Sequence, residues 1–241
     1  MKKVFRIFLL FVTVFVMAGC SNSINSSNFV NIDYVEVKDK KDVIYNLTHS
    51  LKNISGVSFS GIITIKGEKH EFDGKVISRG TIESSVININ YKNNSFYIKD
   101  GNVYINYNHA GANIVIKDTL NNFVEETIVS LENKGVKCNK ESIYDIVKNK
   151  TIDDINLSKL INFVEISNGE YNFKYKNLNV SLNEYFLPEN VSYENKDIIV
   201  SALLSYERVS ISVPVGYNLF TLSIGDIKQL LKVENISDLI K

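Results

Sequence analysis

In the stretch GVSFSGIITIKGEKHEFDGKVIS, residues Gly56–Ser78, apolar residues or glycine occupy every second position along two successive runs. Side chains at every second position of a β-strand point to the same side of the sheet. In the two runs, one side collects Val57, Phe59, Gly61, Ile63, Ile65, Phe72, Gly74 and Val76. The stretch therefore predicts two strands of a sheet that is covered on one face.

Two glycines, Gly61 and Gly74, interrupt this apolar side within the predicted strands. Glycine inside a strand permits a bend or the close approach of another backbone. The two positions therefore indicate a sheet that curves.

The alternation continues downstream in TIESSVININYKN, SFYIKDGNVYINYN and ANIVIK. Asp100-Gly101 lies between two alternating segments, and Asp-Gly is a favoured pair for a two-residue hairpin turn. Short strands at this spacing are typical of antiparallel structure. We expect a first meander of about six strands.

Helical periodicity precedes and follows this meander. Apolar residues at helical spacing predict a first helix from Asp42, placed as its cap, to about Asn53. Three more helical segments are predicted in TLNNFVEETIVSLEN, ESIYDIVKN and NLSKLINFV. Alternation then resumes in GEYNFKYKNLNVSLN, PENVSYEN, DIIVSALLSYE and RVSISVPVGY, and GDIKQLLKVENISDLIK predicts helical turns on each side of Val233. This order predicts an α+β fold built on an antiparallel sheet.

The amino terminus has the layout of an export signal. Basic residues (Lys2, Lys3 and Arg6) precede an apolar run of 13 residues from Ile7 to Gly19. A helix needs about 20 residues to cross the hydrocarbon of a bilayer, so this run is short for a permanent span.

The end of that run, Met17-Ala18-Gly19-Cys20, resembles the lipobox of bacterial lipoproteins, although leucine is commoner than Met17 at its position. The resemblance implies that the Cys20 thiol receives a diacylglyceryl group and that cleavage occurs before Cys20. It implies a protein held by acyl chains on the outer face of the cell membrane of a Gram-positive-like bacterium. Residues 1–19 would then be the signal peptide and residues 20–40 the lipidated cysteine and a flexible tether.

The layout of the remaining chain resembles the LolA-like superfamily, which includes LppX-like lipoproteins. The resemblance covers about Lys41 to Tyr217 and concerns the order of a leading helix, a meander, a helical insertion and a second meander ending in a Val-Pro segment. It implies a curved, unclosed antiparallel half-barrel with helices packed on its concave face. We expect residues 41–241 to form a single such domain.

Charge and histidine spacing argue against several classes of function. Removal of the predicted signal would take away three of the 27 basic residues. The 24 that remain, against 27 acidic residues, would give the mature chain a net charge of −3. This balance lacks the basic footprint of a nucleic-acid-binding protein. His49, His70 and His109 lie far apart without metal-ligand spacing, so no metal and no cofactor is predicted.

Catalytic signatures are also missing from the sequence. It contains neither a Gly-x-Ser-x-Gly elbow nor a glycine-rich phosphate loop. Cys138 lies in the lysine-rich stretch KGVKCNKES and is interpreted as an incidental exposed thiol. Glu125 and Glu126 would point about 100° apart on a helix, so we do not expect their carboxylates to act together as general acid and general base. We therefore predict a non-enzymatic protein.

Two functions remain open. In the first, the half-barrel encloses an apolar cavity for an acyl chain or similar amphiphile, lined by Phe59, Ile63, Phe72 and Val76, although plain core packing would also explain these residues. In the second, the sheet is fully packed and its outer face binds an envelope protein, with contact residues Tyr97, Tyr104 and Tyr107.

Replacing the lipidated residue tests the anchor. We expect Cys20→Ser to move the protein from the membrane fraction to the soluble fraction, because the acyl chains supply about 0.8 kcal/mol per buried methylene. Fractionation followed by immunoblotting measures the shift. A variant that still sediments with membranes would contradict the assignment.

Overall fold

A computed structural model describes the central part of the chain. The described residues are 33–92, 94–109, 112–133, 135, 137–149, 157–207 and 209–213. The predicted signal peptide, Cys20 and the predicted C-terminal helix lie outside them.

The elements follow the predicted order. Helix α1 (Lys40–Lys52) precedes the first meander, which consists of β1 (Gly56–Ile65), β2 (Glu68–Arg79), β3 (Thr81–Tyr91), β4 (Asn94–Lys99), β5 (Asn102–His109) and β6 (Ala112–Thr119). The helical insertion consists of α2 (Leu120–Asn133), α3 (Lys140–Lys148) and a 3-10 helix (Leu157–Phe163). The second meander consists of β7 (Val164–Ser167), β8 (Glu170–Tyr175), β9 (Leu178–Leu182), β10 (Pro188–Glu194) and β11 (Ile198–Ser205). None of the helices in the described part of the chain is long and apolar enough to cross a membrane.

The eleven strands in the described part of the chain form one antiparallel sheet in the order β6-β5-β4-β3-β2-β1-β11-β10-β9-β8-β7. Pairing of β1 with β11 joins the two meanders at the centre of the sheet. Strands β6 and β7 lie at opposite edges and do not pair with each other, so the sheet is unclosed. The predicted fold class, an open antiparallel sheet with helices, is confirmed.

The alternation in β1 and β2 is also confirmed. Val57 and Val76 are buried on one face of the sheet, here called the inner face. Ser60 and Asp73 are exposed on the opposite, outer face. The predicted hairpin at Asp100-Gly101 joins β4 and β5, and both residues have the positive φ that a type I′ turn requires.

The two strand glycines allow the close backbone approach that the sequence predicted. In the β1–β2 register, Phe59 lies opposite Gly74 and Phe72 lies opposite Gly61. A Cβ on Gly74 would lie 2.3 Å from Cζ of Phe59 and 2.5 Å from the backbone oxygen of Asn88. A Cβ on Gly61 would lie 2.7 Å from Cζ of Phe72 and 2.3 Å from the backbone oxygen of Ser201. Each phenylalanine thus covers a glycine on the neighbouring strand, an arrangement that compensates for the missing side chain.

The main core lies between the inner face and the two central helices. Helices α2 and α3 contribute Leu120, Val124, Ile128 and Val147. The sheet contributes Val57, Val76, Ile82, Ile87, Ile89, Ile98, Val103, Val191 and Leu204. Because these strand residues range from β5 across the centre to β10, the sheet curves around the helices.

A second core lies under α1. It combines Val43, Leu47 and Leu51 of α1 with Val164 of β7 and Leu187. Tyr206 packs against both cores, and its hydroxyl donates a hydrogen bond to the backbone oxygen of Pro188 at 2.7 Å. Burial raises the pKa of the Tyr206 phenol far above its usual range, so the protonated donor is the form that the fold holds.

Several local predictions were wrong. The sequence predicted a further strand in RVSISVPVGY, but its described residues 209–213 belong to no strand. Helix α1 is capped by Asp39, whose carboxylate accepts from the backbone of Lys41 and Asp42, while Asp42 accepts in return from the Asp39 backbone in a capping box. Hydrogen bonds from the backbones of Lys38 and Asp39 lower the pKa of Asp42. The third helical segment is present as a short 3-10 helix, but strand β7, which follows it directly, was not predicted. Cys138 is half-buried against the main core and is not an exposed thiol.

A methyl group at Gly74 tests the close approach. We expect Gly74→Ala to lower the free energy of unfolding by about 2 to 3 kcal/mol, because a Cβ meets backbone that cannot move aside cheaply. Chemical denaturation measures the change. Ser60→Ala on the exposed face of β1 is the control and should change stability by less than about 0.5 kcal/mol. Equal stability of the two variants would contradict this account.

Candidate functional site

A third apolar cluster lies on the inner face and consists of strand residues only. Its buried floor is Ile63, Ile198 and Val200. Four partly buried side chains surround this floor: Ile65, Phe72, Tyr91 and Tyr193. We call these seven residues the strand-only cluster, since no helix residue in the described part of the chain belongs to it.

Strand pairing assembles this cluster from five strands. Ile63 of β1 lies opposite Val200 of β11, and Val200 lies opposite Tyr193 of β10. On the other side, Phe72 of β2 lies opposite Tyr91 of β3. The register thus produces an apolar surface that runs across the centre of the sheet.

Polar groups border the cluster at the β2–β3 side. The His70 ring lies 5.8 Å from the Tyr91 ring, and His70 Nε2 lies 3.8 Å from Glu68 Oε2. Lys92 Nζ lies 5.5 Å from the centroid of the Tyr91 ring. Burial, and secondarily the charge of Glu68, raises the pKa of Tyr91, so its hydroxyl remains a neutral donor.

The β10 side is bordered by a tyrosine hydroxyl. Asn195 Nδ2 donates to the Tyr193 hydroxyl at 2.7 Å. This bond leaves the Tyr193 hydroxyl hydrogen available to an acceptor, because a phenol can donate and accept at once. The apolar cluster therefore has hydrogen-bonding groups on both sides.

A buried acceptor lies next to the cluster. Asn94 pairs with Tyr91 at the β3–β4 boundary and shares the inner side of β4 with Phe96 and Ile98. Its Oδ1 atom is buried and has no hydrogen-bond partner among the described residues. A buried acceptor without a donor is unfavourable by about 1 to 3 kcal/mol. A donor group of a bound molecule would satisfy this oxygen.

The four residues predicted from the sequence fall into two places. Ile63 and Phe72 belong to the strand-only cluster, whereas Val76 lies in the main core under the helices. Phe59 packs against the main core, and its ring lies 6.3 Å from that of Phe72. Their role in ligand binding stays a prediction.

Sequence reasoning placed Ile65 on the apolar side but did not find the remaining residues of the cluster. Ile198 and Val200 belong to a run, DIIVSALLSYE, that was recognised as a strand, and its alternation could have placed them on the inner face. Tyr91 and Tyr193 have no local signal, because only the pairing of remote strands brings them to Ile63.

The tyrosines of the alternative interaction surface were predicted near the hairpin. Tyr97 and Tyr104 lie directly opposite each other on β4 and β5. Lys117 Nζ lies 5.6 Å from the centroid of the Tyr104 ring. The side chain of Tyr107 lies outside the described part of the structure. Within the described residues, no group of three or more His, Cys, Asp or Glu side chains could hold a metal ion.

Comparison with known proteins gave matches only among solved structures. No protein-family model and no curated protein matches the chain. The lipoprotein LppX of Mycobacterium tuberculosis is 8% identical, with 72% of this chain and 98% of that chain covered and a TM-score of 0.35. LprF of Mycobacterium bovis is 10% identical, with 73% and 97% covered and a TM-score of 0.34. A LolA superfamily protein of Nitrosomonas europaea is 9% identical, with 73% and 96% covered and a TM-score of 0.28. The half-barrel described above follows from the strand order and packing of this chain itself.

The unpaired Asn94 oxygen gives a testable expectation. Asn94→Leu should leave the free energy of unfolding of the ligand-free protein unchanged or raise it, because the substitution removes a buried acceptor that lacks a donor. Asn88→Leu is the matched control, since Asn88 Nδ2 donates to Asn90 and to the Phe96 backbone. It should lose about 1 kcal/mol in the same denaturation experiment. A larger loss at Asn94 than at Asn88 would show that the oxygen is paired in solution.

Proposed function

We propose that this protein is an exported lipoprotein, anchored through Cys20, that holds an amphiphilic molecule on the strand-only cluster without transforming it. The observation that carries the proposal is the cluster itself: an apolar surface of seven strand residues on the inner face, bordered by polar side chains. Ligand sites in proteins commonly combine a large apolar lining with a few polar groups that set orientation.

The floor of the cluster suits a hydrocarbon chain. Ile63, Ile198 and Val200 present only methyl and methylene groups, and Phe72 adds an aromatic edge. Burial of each methylene of a ligand there would contribute about 0.8 kcal/mol. Ile63, Ile198 and Val200 are 8%, 4% and 3% exposed, so an acyl chain would reach this floor only after the surrounding side chains moved aside.

The border of the cluster suits the polar end of the same molecule. His70, Lys92 and the Asn94 oxygen all lie around Tyr91 at one side. Asn94 Oδ1 would accept from a hydroxyl or amine, while Lys92 would attract a negatively charged group. We therefore expect the head group to lie at the β2–β4 side and the tail to cross toward β11.

The amino-terminal attachment supports a position beside the membrane. The buried side chain of Asn46 forms two hydrogen bonds with the backbone of Val35: it accepts from the Val35 nitrogen at 3.0 Å and donates to the Val35 oxygen at 2.9 Å. The Tyr34 ring packs at a tilt against the Phe186 ring, with centroids 5.4 Å apart. Residues 21–32 lie between Cys20 and this hydrogen-bonded contact, and they would span at most about 40 Å when extended. Lipidation of Cys20 would thus keep the body within reach of membrane amphiphiles.

Ligand binding can be measured with the purified full-length protein. We expect extraction with organic solvent to recover an amphiphile, and dansyl-labelled undecanoic acid to bind in competition with it. Ile65→Ser, in the cluster, should weaken binding of the probe about tenfold, because it removes apolar contact area. Ile62→Ser, on the outer side of the same strand, should leave the affinity unchanged.

Two results would overturn the proposal. One is a protein that yields no amphiphile and binds no probe; the other is equal probe affinity in the Ile65 and Ile62 variants. Either result would favour the alternative, an envelope interaction module with a fully packed core. In that case cross-linking in cells should retrieve one dominant protein partner.

A further inference from the structure

Helix α1 buries one side and exposes the other. The buried side packs into the second core. On the opposite side lie Lys41, Tyr45, His49 and Lys52, whose spacing of three or four residues places them along one line of the helix. We call these four residues the α1 stripe. Tyr45 is 46% exposed, and both lysines are exposed.

The side chains of the α1 stripe have the chemistry of residues at a membrane interface. The Tyr45 ring lies against the His49 ring, with centroids 4.3 Å apart. Tyrosine is enriched at the level of lipid head groups, because its ring is apolar and its hydroxyl is polar. Lysine can lay its methylenes along apolar surface while its ammonium group reaches a phosphate. The α1 stripe therefore suits the head-group region of a bilayer.

Residues 33–38, here called the strap, run antiparallel to α1. Ser50 Oγ donates to the Tyr34 hydroxyl at 3.1 Å, and the next strap residue, Val35, is hydrogen-bonded to Asn46, one turn earlier in the helix. The strap therefore begins beside the carboxyl-terminal half of α1. Val35 is 39% exposed and adds an apolar side chain next to the α1 stripe.

The proposed anchor would bring this end of α1 to the membrane. Residues 21–32 join Cys20 to the strap, and they would span at most about 40 Å. A short tether gives the attached surface an effective concentration in the millimolar range, so even a weak contact with the bilayer would be populated. The strap and α1 are the first described elements after the tether, which makes α1 the helix nearest the anchor along the chain.

Carboxylates lie away from the carboxyl-terminal half of α1. Residues 45–52 contain none, and the two carboxylates of the capping box lie at the other end of the helix. Two strap carboxylates, Asp33 and Glu36, offset part of the lysine charge. The contact is therefore mainly apolar, through Tyr45 and Val35, and requires no excess of anionic lipid.

We propose that the α1 stripe and Val35 contact the membrane surface in the anchored protein, with the Tyr45 ring among the lipid head groups. The proposal rests on the anchor at Cys20 that belongs to the proposed function. It adds which side of the body faces the bilayer, and it is independent of whether the strand-only cluster binds an amphiphile.

Tryptophan fluorescence of the lipidated full-length protein tests this contact. The chain contains no tryptophan, so Tyr45→Trp introduces a single indole. On vesicles of phosphatidylcholine and phosphatidylglycerol, we expect lipids brominated near the head-group end of their acyl chains to quench this indole at least about twofold relative to unbrominated lipids. Ile199→Trp is the matched control, because Ile199 is also 46% exposed but lies on the outer face of the sheet. Its indole should not be quenched.

Flotation of the same vesicles separates the two ways in which the proposal can fail. Protein that floats with the vesicles while the Tyr45→Trp indole is unquenched would overturn the membrane contact and leave the anchor intact. Equal quenching of the two indoles would overturn it as well, since the contact would then have no preferred side. Protein that does not float would refute the anchor and the membrane contact together.

Discussion

The pairing of β1 with β2 depends on two reciprocal contacts, Phe59 over Gly74 and Phe72 over Gly61. Each glycine lets the backbone of a further strand, β3 or β11, approach where a Cβ would collide. Because β1 also pairs with β11, this region joins the two meanders into one sheet. The main core under α2 and α3 extends across this joined sheet, from β5 to β10.

The inner face carries three apolar clusters, which differ in the helices that pack on them. Helices α2 and α3 bury the main core, and α1 with the 3-10 helix buries the second. The strand-only cluster includes no helix residue from the described part of the chain, although its floor is as apolar as either core. A surface of this kind, with His70, Lys92 and Asn94 around Tyr91, is chemically suited to retaining an amphiphile.

Strand β11 carries apolar residues on both faces of the sheet. Ile198 and Val200 form the floor of the strand-only cluster, whereas Ile199 and Leu203 are exposed on the outer face. An apolar outer row is unusual for a sheet with one solvated face. Val209 lies next to Gly56 on this same outer face.

The sequence by itself determined the α+β class, the six-stranded meander and the apolar face of β1 and β2, because periods of two and of three to four are local properties. It misplaced the cap of α1, because both Asp39 and Asp42 are suitable cap residues and only backbone geometry distinguishes them. It also predicted one cavity from Phe59, Ile63, Phe72 and Val76. Only the tertiary structure decided that Val76 belongs under the helices while Ile63 meets Val200 and Tyr193, since pairing between remote strands sets those contacts.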